Sequence, residues 1–593
     1  MAFSALAAGI PVPLAVARTN LIGFRAVSRG LSENHEVAEG YSARVIIRWG
    51  DRVATGAASF NPDELTADTQ SKQFGYNNDF IAFMPLPASS DNNSRGLLCV
   101  NHEFPSAPLM WPGVAEAELS WAQTQVEMAA IGHSIVEIER SHGVWRQAKN
   151  SRYNRRITTS GTEMRLAGPA AGHARLRTSA DPKGTRVVGT LANCAGGVTP
   201  WGTVLIAEEN FQAFFGGSPR RNPEARAYQR YGLADDPIFV SWPKYSRRFN
   251  LEAEPHEPNR FGWIVEIDPY NPNMIPVKRT GLGRFKHEAA TVALTADNRV
   301  VVYSGDDEVD EYVYRYVSHG RINPSNPLPH GDLLDNGILY VARFDDDGSL
   351  RWLPLLFGVS PLISENGFDS QADVLIETRR AADLVGATPM DRPEDVEVDP
   401  RTGSVFVLLT GRSDTLRLQP SAANPRKRNP FGHIVELRPP RRNGVADHGA
   451  DSFEWGIYLL AGNPNVDSDG AFYPGPVDTD GWFINPDNCA FDGRGRMWIA
   501  TDGPSEEVGF ANALYAADTM SREGPRRFFS APRGAEVTGP ALTPDLETLF
   551  VSVQHPAQDS DYHSPSTRWP DFRGPPRPSV VAITKQGGGI IGT

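Results

Sequence analysis

Short stretches of alternating apolar and polar residues, separated by tight turns, recur along this chain. The clearest copy, EDVEVDPRTGSVFVLLT at residues 394–410, has a D-x-x-G-like turn between two stretches rich in β-branched residues. Each copy predicts two antiparallel strands, because strands alternate with a period of two and Asp, Asn and Gly favour the turn. The other copies are residues 193–210, 287–308, 487–502 and 539–556, and a sixth copy is expected to end at residues 89–103.

The repeated hairpin predicts an all-β fold, a six-bladed β-propeller with long insertions and a few short helices. Helical periodicity is confined to residues 117–132 and 372–386. We expect an N-terminal arm at residues 1–39 and one propeller domain at residues 40–593, with a pair of β-sandwiches as the alternative fold. Further strand patterns, expected to form outer strands, occur at residues 262–269, 339–345 and 432–439.

Antiparallel pairing predicts that the candidate functional residues of every hairpin lie at the end opposite its turn. The first strand begins and the second strand ends at the same end, while the turn lies at the other. Turn residues such as Asp399, Gly403, Asp492 and Gly495 are interpreted as structural. The opposite ends would surround one mouth of the central channel. They carry Asn101, His102, Glu103, Asn193, Cys194, Glu208, Glu209, Asn210, His287, Glu288, Asp306, Asp307, Glu308, Arg392, Glu394, Asp395, Asp487, Asn488, Asp502, Gln554 and His555.

A ring of carboxylates at one mouth predicts bound cations. Two unit charges about 4 Å apart, at an effective dielectric near 20, repel by about 4 kcal/mol. Calcium is the first expectation for a site with many oxygen ligands. Cys194 and His555 are softer ligands that also admit iron, manganese or zinc. Arg392 has forked donors that suit a phosphate or a carboxylate.

Each of these residues, taken alone, has a simpler interpretation. Cys194 could be a small buried hydrophobe, as free cysteines usually are. Glu394 and Asp395 could form an ordinary ion pair with Arg392, and an acidic run such as residues 306–311 is usually a solvated loop. Recurrence at one predicted face favours a functional ring. Cys99 and Cys489, inside predicted strands, are interpreted as core residues.

Composition narrows the functional classes. The chain has 593 residues, of which 40% are hydrophobic, as is typical of a globular protein. Its net charge of −13 makes it a poor general nucleic-acid binder. The sequence contains no run of 18 apolar residues, so it predicts no membrane-spanning helix. Its three cysteines are too few, and odd in number, to form a disulfide framework. The N-terminal residues lack a basic region and a twin arginine, so we expect a trimmed leader or a loose arm. A monomer is expected, since no dimer signal is evident.

The motifs together resemble the PhoX family of bacterial alkaline phosphatases. The resemblance spans about residues 40 to 560. It implies a six-bladed propeller with insertions, hydrolysis of phosphate monoesters, a cluster of iron(III) and calcium ions, and export to the periplasm or the outside. The matching segments are GYSARVIIRWGD (40–51), NHE (101–103), GTLANCAGGVTPWGTVLIAEEN (189–210), GWIVEIDP (262–269), KHEAA (286–290), YSGDDEVDEYVYRYV (303–317), RPEDVEV (392–398) and NPDNCAFDGRGRMWIATDG (485–503).

The same resemblance implies roles for individual residues. Cys194 would bridge the irons, Arg392 would hold the phosphate, and Glu394 would belong to the catalytic group as well as to the metal site. Which acid of residues 306–308 is a ligand stays open, with Asp307 first. The implied metal ligands are Cys194, Glu209, Glu288, Asp307, Glu394 and Asp487, with Glu103 and Asp395 as further members.

Two alternatives to the phosphatase remain at this stage. One is a calcium-dependent propeller hydrolase of another class, a lactonase or a phytase-like enzyme. The other is a calcium-stabilised propeller that binds a partner and has no activity. Neither alternative needs a thiolate among carboxylates, so Cys194 favours the phosphatase. Small phosphate monoesters are the expected substrates.

Overall fold

Six blades of β-sheet surround a central channel in the computed structural model, which describes residues 21–233, 240–323, 330–412, 415–521 and 523–593. Each inner strand contacts the inner strand of the next blade, and the sixth contacts the first, so the ring is closed. The predicted six-bladed propeller is confirmed. The inner strands are Asn78–Pro85, Asn193–Val198, Thr291–Leu294, Pro393–Val398, Pro486–Phe491 and Glu536–Leu542.

The remaining strands extend each blade outwards. Blade 1 adds Arg95–His102, Gly132–Ser141, Val144–Gln147 and Arg155–Thr158. Blade 2 adds Val204–Glu208, Ile264–Ile267, Val277–Arg279, Glu163–Ala167 and Arg186–Val188. Blade 3 adds Arg299–Gly305, Val313–Arg321, Gly337–Phe344 and Ser349–Pro354. Blade 4 adds Val405–Leu409, His433–Arg438 and Ser452–Leu460. Blade 5 adds Arg496–Thr501, Ala513–Asp518, Arg526–Ser530 and Glu36–Val37. Blade 6 adds Thr548–Gln554, Ser579–Lys585 and Tyr41–Arg48.

Blades 3 and 4 are joined at their outer edges. Strand Ser349–Pro354 of blade 3 pairs antiparallel with Ser452–Leu460 of blade 4, so the two blades form one continuous sheet of nine strands. This pairing covers the outer edge of both blades, which would otherwise present unpaired backbone groups.

The two ends of the chain meet in blade 6. Strand Tyr41–Arg48 pairs antiparallel with Ser579–Lys585, so the blade is completed by strands from both ends of the sequence. Before it, Ile22, Phe24 and Val27 are buried in a cluster with apolar residues of blades 5 and 6. The first 20 residues of the predicted arm lie outside the described residues. The boundary at residue 40 stays a prediction.

The expected helices lie in the connections between strands. Helix Trp121–Ala130 begins with a capping box between Ser120 and Gln123. The second predicted segment is divided at Glu377 into two helices. No described helix has the length and apolar character to cross a membrane. The α-helices are Ala67–Gln70, Ala107–Met110, Trp121–Ala130, Ala225–Arg230, Trp242–Tyr245, Gln371–Ile376, Thr378–Val385 and Ser505–Val508.

Apolar side chains fill the spaces between neighbouring blades. Cys99 packs with Ile135 in the cluster of blades 1 and 2, and Cys489 packs with Phe406 in that of blades 4 and 5. Both thiols are buried, as expected for core residues. Two short ribbons lie outside the blades, Val309–Glu311 with Met390–Asp391 and Arg441–Arg442 with Val445–Ala446.

Candidate active site

Four inner strands begin with the same unusual backbone. The residue just before each strand has a positive φ, although none of the four is glycine, and such left-handed residues cost of order 1–2 kcal/mol. This turn brings the chain into the channel abruptly, and the second residue after it is an Asp, Cys or Glu. The four left-handed residues are Asn77 (φ 42°), Ala192 (46°), Arg392 (57°) and Asn485 (48°).

A β-bulge then aims the ligand-type side chain. After the first paired residue, the register with the second strand shifts, leaving two residues of the inner strand without a direct partner. A bulge re-aims side chains and often lies beside an active site. In blade 3, Glu288 follows the isolated bridge between His287 and Asp306 in the same way. The residues at this shared position are Asp79, Cys194, Glu288, Glu394 and Asp487.

Two glycines let neighbouring blades approach closely at the site. A Cβ on Gly197 would lie 2.0 Å from the carbonyl oxygen of Ala290, and one on Gly305 would lie 2.1 Å from that of Glu394. No side chain fits either position. The N-C-A-G-G and S-G-D-D motifs therefore include glycine because blades 2, 3 and 4 converge here.

The side chains at the mouth form four groups that could each hold a metal ion, as judged over the described residues. Within a group, one ligand atom of each residue lies within 4.8 Å of the others. Cys194 belongs to the first and second groups, and Glu288 to the second and third, so these three are linked. The groups are Asp79–Glu103–Cys194, Cys194–Glu209–Glu288, Glu288–Glu394–Asp487 and Asp502–Glu536–His555.

Hydrogen bonds from side-chain amides and a thiol connect the carboxylates of the ring. The Cys194 Sγ lies 3.3 Å from Glu288 Oε1, to which Asn488 Nδ2 also donates at 3.1 Å. Gln554 Nε2 donates to Asp79 Oδ2 at 2.6 Å and to Glu103 Oε2 at 3.2 Å, which joins two carboxylates from blade 1. These contacts fix the separations of the candidate ligands.

Several buried oxygen atoms of the ring have no hydrogen-bond partner among the described residues. They include Glu288 Oε2, Asp487 Oδ1 and Gln554 Oε1. A buried carboxylate oxygen without a partner is costly. Glu288 and Asp487 belong to the candidate metal groups, and cations bound there would satisfy their two carboxylate oxygens, so the donor set fits metal ions.

The pKa values of the ring residues also favour bound metal ions. Burial, followed by neighbouring carboxylates, raises the pKa of the Cys194 thiol and of Glu209 and Glu288 far above the ordinary values. The pKa of Glu103 rises to about 8 from burial and the charge of Asp79. The protein alone thus disfavours the charged forms, and positive charge from bound ions would restore them.

Asp307, the middle residue of the run Asp306-Asp307-Glu308, pairs with Arg392. Asp307 accepts from Arg392 Nε at 2.8 Å and Nη2 at 2.7 Å, while Arg392 Nη2 also lies 3.0 Å from Glu394 Oε1. The Arg392 guanidinium is therefore held between two carboxylates at the mouth, and it holds the pKa of Asp307 down at about 2 against burial. Arg392 remains accessible from the mouth, with 35% of its side chain exposed.

The structure does not bring every predicted ligand into a group. Asp307 faces Arg392. Asp395 accepts from the backbone N–H of Cys489 at 2.9 Å and of Val396 at 2.8 Å, which ties blade 4 to blade 5. Glu103, Cys194, Glu209, Glu288, Glu394 and Asp487 do lie in groups.

Two ligand-type residues escaped the sequence analysis, Asp79 and Glu536. Asp79 lies in the inner strand of blade 1, for which only the second strand was recognised. Glu536 lies three residues before the recognised start of the last hairpin. The signal for Asp79 was present, since Asn-Asn-Asp at residues 77–79 parallels Ala-Asn-Cys at residues 192–194.

Residues 22–557 match the profile of a family described as alkaline phosphatase PhoX. The chain belongs to this family. The solved structure of Pseudomonas fluorescens PhoX in complex with vanadate, a transition state analogue, is 39% identical and has a TM-score of 0.91, over 97% of this chain and 100% of that one. A Dyadobacter fermentans protein of unknown function is 8% identical, with a TM-score of 0.36, over 92% and 100% of the two chains. No curated protein matches the chain.

Membership confirms the phosphatase expected from the sequence. The chain is an alkaline phosphatase, a hydrolase of phosphoric monoesters. The ring at the mouth of this PhoX-family propeller is the part of the described structure where ligand-type side chains from all six blades converge.

Proposed function

We propose that the ring binds iron and calcium ions, and that Arg392 binds the phosphoryl group of the monoester. The observation that carries the proposal is the row of ligand groups joined through Cys194 and Glu288. A residue shared by two groups is placed to bridge two ions. Ions so close together would neutralise the carboxylates and leave positive charge for the phosphate.

The ligand types favour a division between the two metals. The thiolate of Cys194 suits iron rather than calcium, which prefers oxygen. Glu394 and Asp487 supply only carboxylate oxygens and suit calcium. Iron(III) itself is supported by the family resemblance. When bound, such ions stabilise charge on the phosphoryl oxygens as Lewis acids.

The chain's own residues orient the substrate. The fork of Arg392 matches two nonbridging oxygens of a phosphate, and Asp307 and Glu394 hold the guanidinium in place. In the hydrolysis, the oxygen of a water bonds to phosphorus, the ester P–O bond breaks, and the alcohol leaves with a proton. Phosphoryl transfer depends mainly on positioning and charge. We propose no covalent role for a serine.

Asp395 is proposed as a tie between blades instead of a ligand, because its two oxygens accept backbone N–H groups. We further propose that the protein is a monomer exported to the periplasm or the outside. Export is supported by the family resemblance. Cell fractionation and size-exclusion chromatography test these two statements, and a cytosolic or dimeric protein would contradict them.

The test of the metal assignment is hydrolysis of p-nitrophenyl phosphate before and after chelation. We expect turnover to be lost with the metals and restored by iron with calcium. Elemental analysis of the active protein should find both elements. Full turnover in thoroughly metal-free protein would contradict the proposal, and restoration by calcium alone would remove iron from it.

A further inference from the structure

Asp306 lies next to Asp307 in the chain but faces away from Arg392, and it has an arginine of its own. Arg379 Nε donates to Asp306 Oδ2 at 2.9 Å, and Arg379 Nη2 donates to Asp306 Oδ1 at 2.5 Å. Asp306 is 0% exposed and Arg379 is 1% exposed. The pair is therefore a buried, forked ion pair directly behind the residue that holds Arg392.

Other charged side chains hold Arg379 in place. Its Nη1 lies 3.6 Å from Glu311 Oε1, and Arg230 donates to Glu311 and, at 2.8 and 2.9 Å, to Asp383. Arg230 ends a helix in the insertion of blade 2, while Asp383 lies in helix Thr378–Val385. The network thus fixes the loop of blade 3 against two other segments.

Arg392 and Arg379 lie on the same connecting segment. Helix Thr378–Val385 leads to strand Met390–Asp391, which pairs with Val309–Glu311 immediately after the acidic run. The run and the segment that carries Arg392 are thus joined at two points, the ion pair and the ribbon. Asp307 lies between these two points along the run, and Arg392 follows the ribbon strand directly.

We propose that Arg379 is a positioning residue for phosphate binding. By anchoring Asp306, it fixes the backbone of the loop so that the adjacent Asp307 carboxylate meets the guanidinium of Arg392 in one orientation. Without this anchor, Arg392 would sample several orientations and bind a phosphoryl group more weakly. The inference rests on the proposed role of Arg392.

The test removes the pair without leaving a buried charge. Arg379→Met alone would leave Asp306 unpaired and risks misfolding, so the variant combines Asp306→Asn with Arg379→Met. We expect the inhibition constant for vanadate and the KM for p-nitrophenyl phosphate to rise by about tenfold. The kcat at saturation should change less. Arg379→Lys, which keeps the charge but not the fork, should give an intermediate value.

A matched control lies at the opposite end of the propeller. Arg496 and Asp492 form a buried ion pair in the turn of blade 5, and both side chains are 0% exposed. Asp492→Asn with Arg496→Met removes a comparable pair that is not linked to Arg392. It should lower thermal stability as the test variant does, without changing KM or vanadate inhibition.

The outcomes separate the two proposals. Unchanged vanadate inhibition and KM in the folded test variant would overturn the role of Arg379, whether or not its melting temperature is lowered. An equal loss in the control would also overturn it, since the effect would then be one of general stability. If Arg392→Ala itself leaves vanadate inhibition unchanged, the proposed role of Arg392 fails first.

Discussion

The two ends of the inner hairpins use the same residue type in opposite ways. At the turn end of blade 5, Asp492 accepts the backbone N–H of Arg494 at 2.9 Å and of Arg496 at 3.1 Å, and it pairs with the Arg496 side chain. At the mouth of the same blade, Asp487 Oδ1 has no hydrogen-bond partner among the described residues. Both aspartates are buried, at 1% and 8% exposure.

The contrast shows where this fold is stabilised and where it is not. A buried carboxylate with three donors stabilises a turn. A buried carboxylate surrounded by others destabilises the protein until cations neutralise it. At the mouth, the residues just before the inner strands, such as Ala192 and Asn485, have a positive φ although they are not glycines. In the turn of blade 5 the residue with a positive φ is a glycine, Gly495. Strain and unsatisfied charge concentrate at the end that we propose binds the metal ions and the phosphate ester.

The largest effect should come from the thiol shared by two groups. Cys194→Ala is expected to lower kcat roughly a thousandfold or more, because a shared ligand supports more than one ion. Elemental analysis should show iron lost from the variant. Cys489→Ala is the control, since this thiol is equally buried but packs in the core between blades 4 and 5. A Cys194 variant with full turnover and full iron content would remove the bridging role.

Neutralising one aspartate at each end should shift stability in opposite directions. Asp492→Asn leaves Arg496 buried without its partner and should lower the free energy of unfolding by about 3 kcal/mol, with kcat retained. Asp487→Asn removes a like charge, so the metal-free protein should become slightly more stable while activity is lost. Urea unfolding of the chelated proteins measures both changes. Equal destabilisation by the two variants would contradict the comparison.

Replacing the proposed phosphate-binding residue should lower activity less than replacing a proposed metal ligand. Arg392→Ala is expected to raise the KM for p-nitrophenyl phosphate about 10- to 100-fold, the range of a lost forked, charge-assisted contact. Arg392→Lys should recover part of it. Arg401, which lies in the turn of blade 4 and donates to Gly495 O at 2.8 Å, offers a control at the far end. An Arg392→Ala variant with wild-type kinetics would remove this residue from the site.

The sequence predicted the ring well because hairpin geometry alone decides which residues share an end. Glu394 and Asp487 begin first strands, and Glu209 follows the end of a second strand, so pairing brings them together in any propeller. Asp79 was missed because no turn of the repeated type marks the strand that carries it. Glu536 was missed because its strand begins earlier than the alternation suggests.

Individual contacts could not be predicted, because they depend on register. The adjacent residues Glu394 and Asp395 show this clearly, since the bulge sends Glu394 to the ligand group and Asp395 to backbone N–H groups. Alternation cannot locate a bulge. Likewise, three consecutive acids at residues 306–308 gave no sign that Asp306 would face a buried arginine from a helix 73 residues away.

A pH dependence tests the mouth without any substitution. Burial raises the pKa of Asp79 from 3.8 to about 6, and burial with the charge of Asp79 raises that of Glu103 from 4.5 to about 8. A carboxyl whose pKa is higher in the folded state binds its proton more tightly there. Its contribution to stability is therefore complete below the unfolded pKa and is lost as pH rises through the folded value.

The chelated protein should accordingly be less stable at pH 9 than at pH 5, with a free energy of unfolding lower by an amount on the order of a few kcal/mol. Protein loaded with metals should lose much less, because bound cations stabilise the charged carboxylates and replace the protons. Calorimetry of both forms across this range makes the comparison. A chelated protein whose stability rises with pH would show that the mouth carboxylates are already neutralised by the chain itself, and the case for a cation-dependent ring would fail with it.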